Sequence, residues 1–147
     1  MKTLTRTSRI ILFLFFCIFA VNTLHAQNSK YGTDDAVITS GVIPGDMDKE
    51  HIYTLTFTVK NTGTSTWKAG DYQLKVYVNA SSDIAENSRW LIPNINIPAN
   101  VAPGTETTVT TQVTAWNESG NYTFTAQMAR NDQGFGKVSD PVIVNIH

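Results

Sequence analysis

Tyr53, Leu55, Phe57 and Val59 alternate with Thr54, Thr56 and Thr58, and no other stretch constrains the fold as strongly. A period of two, apolar on one face and β-branched polar on the other, suits a half-buried strand and not an amphipathic helix. The strand runs from Ile52 to Lys60 and enters Asn61-Thr62-Gly63-Thr64-Ser65-Thr66-Trp67. Gly63 reads as the residue that takes positive φ in a tight reversal, and Asn61 tolerates that conformation better than most. The hydroxyls of Thr62, Thr64 and Thr66 can satisfy turn amides. Trp67 has the apolar area to anchor the corner from beneath.

The same period returns along the chain. Tyr72, Leu74, Val76 and Val78 share one face against Gln73, Lys75 and Tyr77, and Val109, Val113 and Ala115 do so within Thr105 to Ala115. Tyr122, Phe124, Ala126 and Met128 form a fourth inward set, and Val142, Val144 and Ile146 a last one. Ala36 to Ile43 is β-rich and stops at Pro44-Gly45, after which Asp46 to Glu50 reads as an exposed connection. Asn79 to Ser88 reads as a loop, followed by two short apolar pieces, Trp90-Leu91-Ile92 and Ile95-Asn96-Ile97. Pro103-Gly104 forms a turn in which proline presets φ and glycine accepts the reversed conformation. Asn131 to Gly136 reads as a glycine-bearing hairpin loop.

Seven or eight short strands divided by Gly/Pro/Asn turns point to an all-β, mostly antiparallel sandwich or barrel. Gly120-Asn121-Tyr122-Thr123-Phe124 favours the immunoglobulin-like β-sandwich. A tyrosine two residues ahead of a core position is the tyrosine corner of that fold, with Phe124 where antibody domains keep a cysteine.

Residues 1–26 read as a signal peptide: Lys2, Arg6 and Arg9, an apolar run from Ile10 to Val21, and Ala26 at the cleavage point. The run is shorter than the roughly 20 residues that span a bilayer. Residues 27–35 read as a flexible lead and 36–147 as one domain. The only cysteine, Cys17, lies in the apolar run, so a cleaved chain has no disulfide and no thiol chemistry. Cleavage leaves 8 basic against 12 acidic side chains, a net charge of −4, with no basic run. Nucleic acid and anionic membranes are therefore poor partners. An exported protein, in the periplasm or outside the cell, is expected.

With these residues in view, the chain resembles the four-tryptophan (FW) domain, the Ig-like module of selective-autophagy receptors and of bacterial exported proteins. The likeness rests on Asn61 to Trp67, Val101-Ala102-Pro103-Gly104, Gly120 to Phe124, and Gly134-Phe135-Gly136, and spans about Ala36 to Ile146. The mature chain has three tryptophans rather than four, and Ala126 and Trp116 depart from the pattern. The resemblance implies a non-catalytic recognition or spacer module.

No catalytic set stands out. Only His51 and His147 remain after cleavage, the carboxylates are scattered, and there is no Gly-x-Ser-x-Gly elbow. Asp46, Asp48 and Glu50 alternate as in calcium loops, but the glycine and the terminal glutamate of an EF-hand are missing, so a solvated turn is expected. No metal and no cofactor are expected. Three Asn-x-Ser/Thr triplets match the glycosylation acceptor pattern and carry little weight in a chain rich in Asn and Thr.

Trp90, Tyr77, Phe135 and Trp116 fall at corners or outward positions, with Arg130 beside them, and are the candidate binding residues. Trp67, Gly63, Pro103, Gly104, Tyr122 and Phe124 are the candidate structural ones. Exposed aromatics can anchor a protein or stack on sugar rings. The expected function is protein–protein recognition or cell-envelope assembly, with another exported or envelope protein as partner. The alternative is a carbohydrate-binding module that takes a glycan on its surface aromatics.

Overall fold

Pro44 has no N–H to donate, so the first strand stops at Val42, just before it, and the chain crosses to the opposite sheet. The computed structural model describes residues 32–80, 90 and 92–147. Within them run β1 (Ala36–Val42), β2 (Asp46–Met47), β3 (Ile52–Asn61), β4 (Tyr72–Ala80) and β5 (Ile95–Asn96). β6 (Glu106–Thr114), β7 (Gly120–Arg130), β8 (Gln133–Phe135) and β9 (Val142–Ile146) follow. One sheet has the order β1-β3-β6 and the other β2-β9-β7-β4-β5, with β8 added to β7. All pairings are antiparallel except β2 with β9. The fold is an Ig-like β-sandwich.

The inward faces are those the alternation marks. Leu55, Phe57 and Val59 of β3 and Val109 and Val113 of β6 are buried on one side. Leu74, Val76 and Val78 of β4, Phe124, Ala126 and Met128 of β7, and Val144 and Ile146 of β9 are buried on the other. Each of these Val, Leu, Ile, Phe and Met side chains contributes about 1.5–3 kcal/mol by leaving water. The outward face of β3 and β6 is a threonine ladder, with Thr56 opposite Thr110 and Thr58 opposite Thr108. Their hydroxyls meet at 3.5 and 3.4 Å.

Four local expectations are corrected. Asp46 to Glu50 is not wholly exposed. Met47 is buried because Asp46–Met47 pairs with Asn145–Ile146 and turns the thioether into the core. The lead is bonded in from Thr33 onward, since Thr62 and Gly63 N–H donate to the Asp35 carbonyl and Thr64 N–H to that of Thr33. The rest of the lead, 27–31, and the signal segment, 1–26, lie outside the described residues, as does most of the Asn79–Ser88 loop.

Gly63 does not take positive φ. Its lack of a side chain matters because the lead crosses it: a Cβ there would stand 2.7 Å from the Asp35 amide nitrogen. Finally, the Asn131–Gly136 loop is a two-residue turn followed by β8. Asn131 and Asp132 sit at φ 49° and 64°, with Arg130 paired to Gln133. Positive φ at both central residues is the type I′ turn that matches hairpin twist, and Asn and Asp tolerate it.

Candidate functional site

The Trp67 corner sets where the remaining candidates can lie. Asn61 is fully buried. It continues the inward phase of β3 (55, 57, 59, 61), so its amide points where an apolar side chain would. There Nδ2 donates to the carbonyls of Ser65 (2.8 Å) and Val101 (3.0 Å), and Oδ1 accepts from Gly63 N–H (3.1 Å). Trp67, also fully buried, exchanges two backbone hydrogen bonds with Val101 and stacks on Tyr72 at 6.0 Å. The Pro103-Gly104 turn is as expected: Thr105 N–H donates to the Ala102 carbonyl, and Gly104 has φ 78°. Tyr122 closes its corner by donating from Oη to the Glu118 carbonyl at 3.1 Å, and Phe124 is fully buried beside it.

The five candidate binding residues separate into three places. Phe135 and Arg130 share one end of the sandwich. Phe135 is not an outward aromatic. Pairing of β8 with Met128 turns the ring onto Trp67 and Tyr72, both at 5.8 Å in edge geometry. Arg130 is exposed and holds Asp34 at 3.2 Å while its guanidinium lies 5.2 Å from the centre of the Tyr72 ring. Asp34 also accepts from Tyr72 Oη at 2.8 Å. Burial, with help from that hydrogen bond, pushes the Tyr72 hydroxyl up to about 12. The bond to Asp34 raises Arg130. These contacts fasten the lead to the sandwich. Tyr77 stands apart on the outward phase of β4, half-buried and opposite Thr125 of β7.

Trp90 and Trp116 come together at the other end. Trp90 is 3% exposed, which corrects the expectation of an outward ring. It meets Tyr122 at 5.4 Å and Phe124 at 5.0 Å, both edge-on, because the tyrosine corner leaves a gap that the indole fills. Trp116 is half-buried and packs on the core margin. Both line a cleft of about 400 Å³ with Glu50, Gln112, Val113, Thr114, Ala115 and Asn117. Glu50 reaches this place because the turn before β3 is tied to the end of β6: its N–H donates to the Ala115 carbonyl at 3.0 Å. Glu50, Gln112 and Asn117 have no motif that would mark them in the sequence.

β6 supplies a second feature. It ends its sheet, and among the described residues no strand pairs with its outer side. Asn61 N–H donates to the Thr105 carbonyl at one end, and Ala115 N–H to the His51 carbonyl at the other. In an antiparallel ladder the bonding direction alternates, so the odd residues of β6 face β3. Glu106, Thr108, Thr110, Gln112 and Thr114 direct their N–H and C=O groups outward. The nine-residue strand carries one charge, Glu106, and no proline. The carboxylates once compared with a calcium loop separate: Asp46 accepts from Asn145 Nδ2, and Asp48 lies 3.3 Å from His147. Among the described residues no three metal-ligating side chains cluster.

The CARDB family model matches residues 33–133. The chain belongs to the CARDB family. CARDB is a family of Ig-like, non-catalytic modules, and its match begins at the bonded part of the lead rather than at Ala36. The CARDB domain of a Pyrococcus furiosus protein in solution superposes with a TM-score of 0.52 at 14% identity, covering 79% of this chain and 95% of that one. The crystal structure of that CARDB domain with di-metal ions gives 0.51 at 15%, covering 80% and 90%. A β-glucosidase from Erythrobacter marinus gives 0.52 at 12%, covering 78% of this chain but only 16% of the enzyme. None of the curated proteins matches this CARDB chain.

Proposed function

We propose that this CARDB chain is an exported, non-catalytic recognition module that docks another exported or envelope protein by adding a strand to β6. The observation that carries this reading is the outer side of β6, whose alternate amides and carbonyls have no ladder partner among the described residues. Natural sheets blunt such edges with lysine, proline or bulges, and none of these interrupts Thr107 to Thr114. Main-chain hydrogen bonds would supply affinity and the flanking threonines side-chain fit. Export is supported by the basic start, the apolar run and Ala26. The likeness of the turn motifs to the four-tryptophan domain supports the same role, since that resemblance implies a recognition or spacer module.

A photo-crosslinking side chain at Thr108 in the native host tests the docking. A discrete adduct is expected in the periplasm or medium, lost when Thr110→Pro is added and absent when the probe sits at Tyr77. Equal adducts from Thr108 and Tyr77, or an adduct that survives Thr110→Pro, would refute β6 docking. A chain retaining residues 1–26 in the cytoplasm would refute export.

A further inference from the structure

We infer that the cleft between Trp90 and Trp116, at the C-terminal end of β6, binds a neutral saccharide of one or two rings. Its volume, about 400 Å³, lies in the lower part of the roughly 300–1,000 Å³ usual for small-ligand sites. The walls combine two kinds of chemistry. Half-buried Trp116 supplies aromatic surface, which suits the C–H face of a pyranose, while buried Trp90 forms the floor. Gln112 and Asn117, both exposed, each offer a donor and an acceptor, and the Glu50 carboxylate offers acceptors only. Alternating donors and acceptors over an apolar wall match a ring of hydroxyl groups.

A second observation points to a ligand. Nε1 of Trp90 is buried and finds no hydrogen-bond acceptor among the described residues. A buried donor left unpaired costs about 1–3 kcal/mol, and a sugar oxygen entering the cleft that this indole lines would satisfy it.

The lining also selects against other ligand classes. The Glu50 carboxylate in the lining would repel an anion, which disfavours phosphates and uronates. A wholly apolar ligand would leave the amides and the carboxylate unpaired. Glycoside hydrolysis in its usual form needs two carboxyl groups flanking the bond. Glu50 is the one carboxylate among the described lining residues, and the proposal is of binding alone.

The test is an amide and indole NMR titration of the purified chain with cellobiose, with N,N′-diacetylchitobiose and with glucuronic acid. At least one neutral disaccharide is expected to shift Gln112, Trp116 and Asn117 saturably at millimolar concentration, and glucuronic acid is expected to shift none of them. Trp90→Phe keeps an aromatic ring and removes the N–H, and should weaken binding about tenfold. Gln112→Ala and Asn117→Ala lie on exposed positions and should each weaken it while the spectrum stays folded. Absence of shifts with both neutral sugars would overturn the inference, as would equal shifts with glucuronic acid or unchanged affinity in all three variants. The titration uses the purified chain with added sugar and the Thr108 adduct forms in the native host, so failure of β6 docking and failure of this site are read separately.

Discussion

Replacing Asn61 by alanine would strip one donor group from the carbonyls of Ser65 and Val101 and one acceptor from the Gly63 amide, all at the corner that Trp67 seals. The Val101 carbonyl keeps Trp67 N–H and the Gly63 amide keeps the Asp35 carbonyl, so the loss of the three bonds should cost about 1–3 kcal/mol. Denaturant unfolding of Asn61→Ala checks this, and a loss under about 0.5 kcal/mol would show that water replaces the amide. Tyr72 gives a pH signature. Its folded pKa, about 12, stands above the ordinary value of 10.0, so the neutral phenol is the form the fold stabilises. That contribution is complete below pH 10 and declines as pH rises through 12. Phenolate absorbance should show a late-titrating tyrosine that disappears in Tyr72→Phe and moves earlier in Asp34→Asn. At this scale Trp67 was legible from its size and its place after the turn. Asn61 was legible only in part. Its inward phase was visible, but an asparagine two residues before a glycine reads equally well as a turn residue until its partner 40 residues away, Val101, is in place.

Among the elements, those built by alternation were read from sequence with little error, because burial of one face is a local property of β3, β4, β6 and β7. β2 and β8 were not. They have two and three residues, too few to show a period, and each exists only because a strand far along the chain or across a turn pairs with it. The lead was misread for the same reason: Thr33 to Asp35 is polar in composition, yet its carbonyls satisfy the amides of the corner. Trp90 shows the limit for side chains. An indole after a polar loop looks outward until the tyrosine corner beneath it is known. The direction of bonding along β6 yields a paired prediction. Thr110→Pro removes an outward N–H and should change stability by less than about 1 kcal/mol, as prolines are tolerated on that side of edge strands. Thr111→Pro removes an N–H that faces β3 and should cost on the order of 2 kcal/mol or more. Chemical unfolding of the two variants side by side checks the ladder, and equal losses would mean that its phase is wrong.

For the molecule as a whole, the described residues form a sandwich held by its apolar interior, pinned at one end by Asn61, Trp67 and the lead, with none of their strands on the outer side of β6. The two ends then differ in chemistry. One is closed by the Tyr72, Phe135, Arg130 and Asp34 contacts, and the other keeps the Trp90–Trp116 cleft. Native-state amide hydrogen exchange tests the open edge most directly, because it reads each N–H separately. The account predicts alternation along β6, with Thr107, Val109, Thr111 and Val113 protected and Thr108, Thr110 and Gln112 exchanging fast. In β3, paired on both sides, Leu55 to Thr58 should be protected without a break. Uniform protection along β6 would contradict the account, since another strand would then already cover the edge on which the proposed recognition depends.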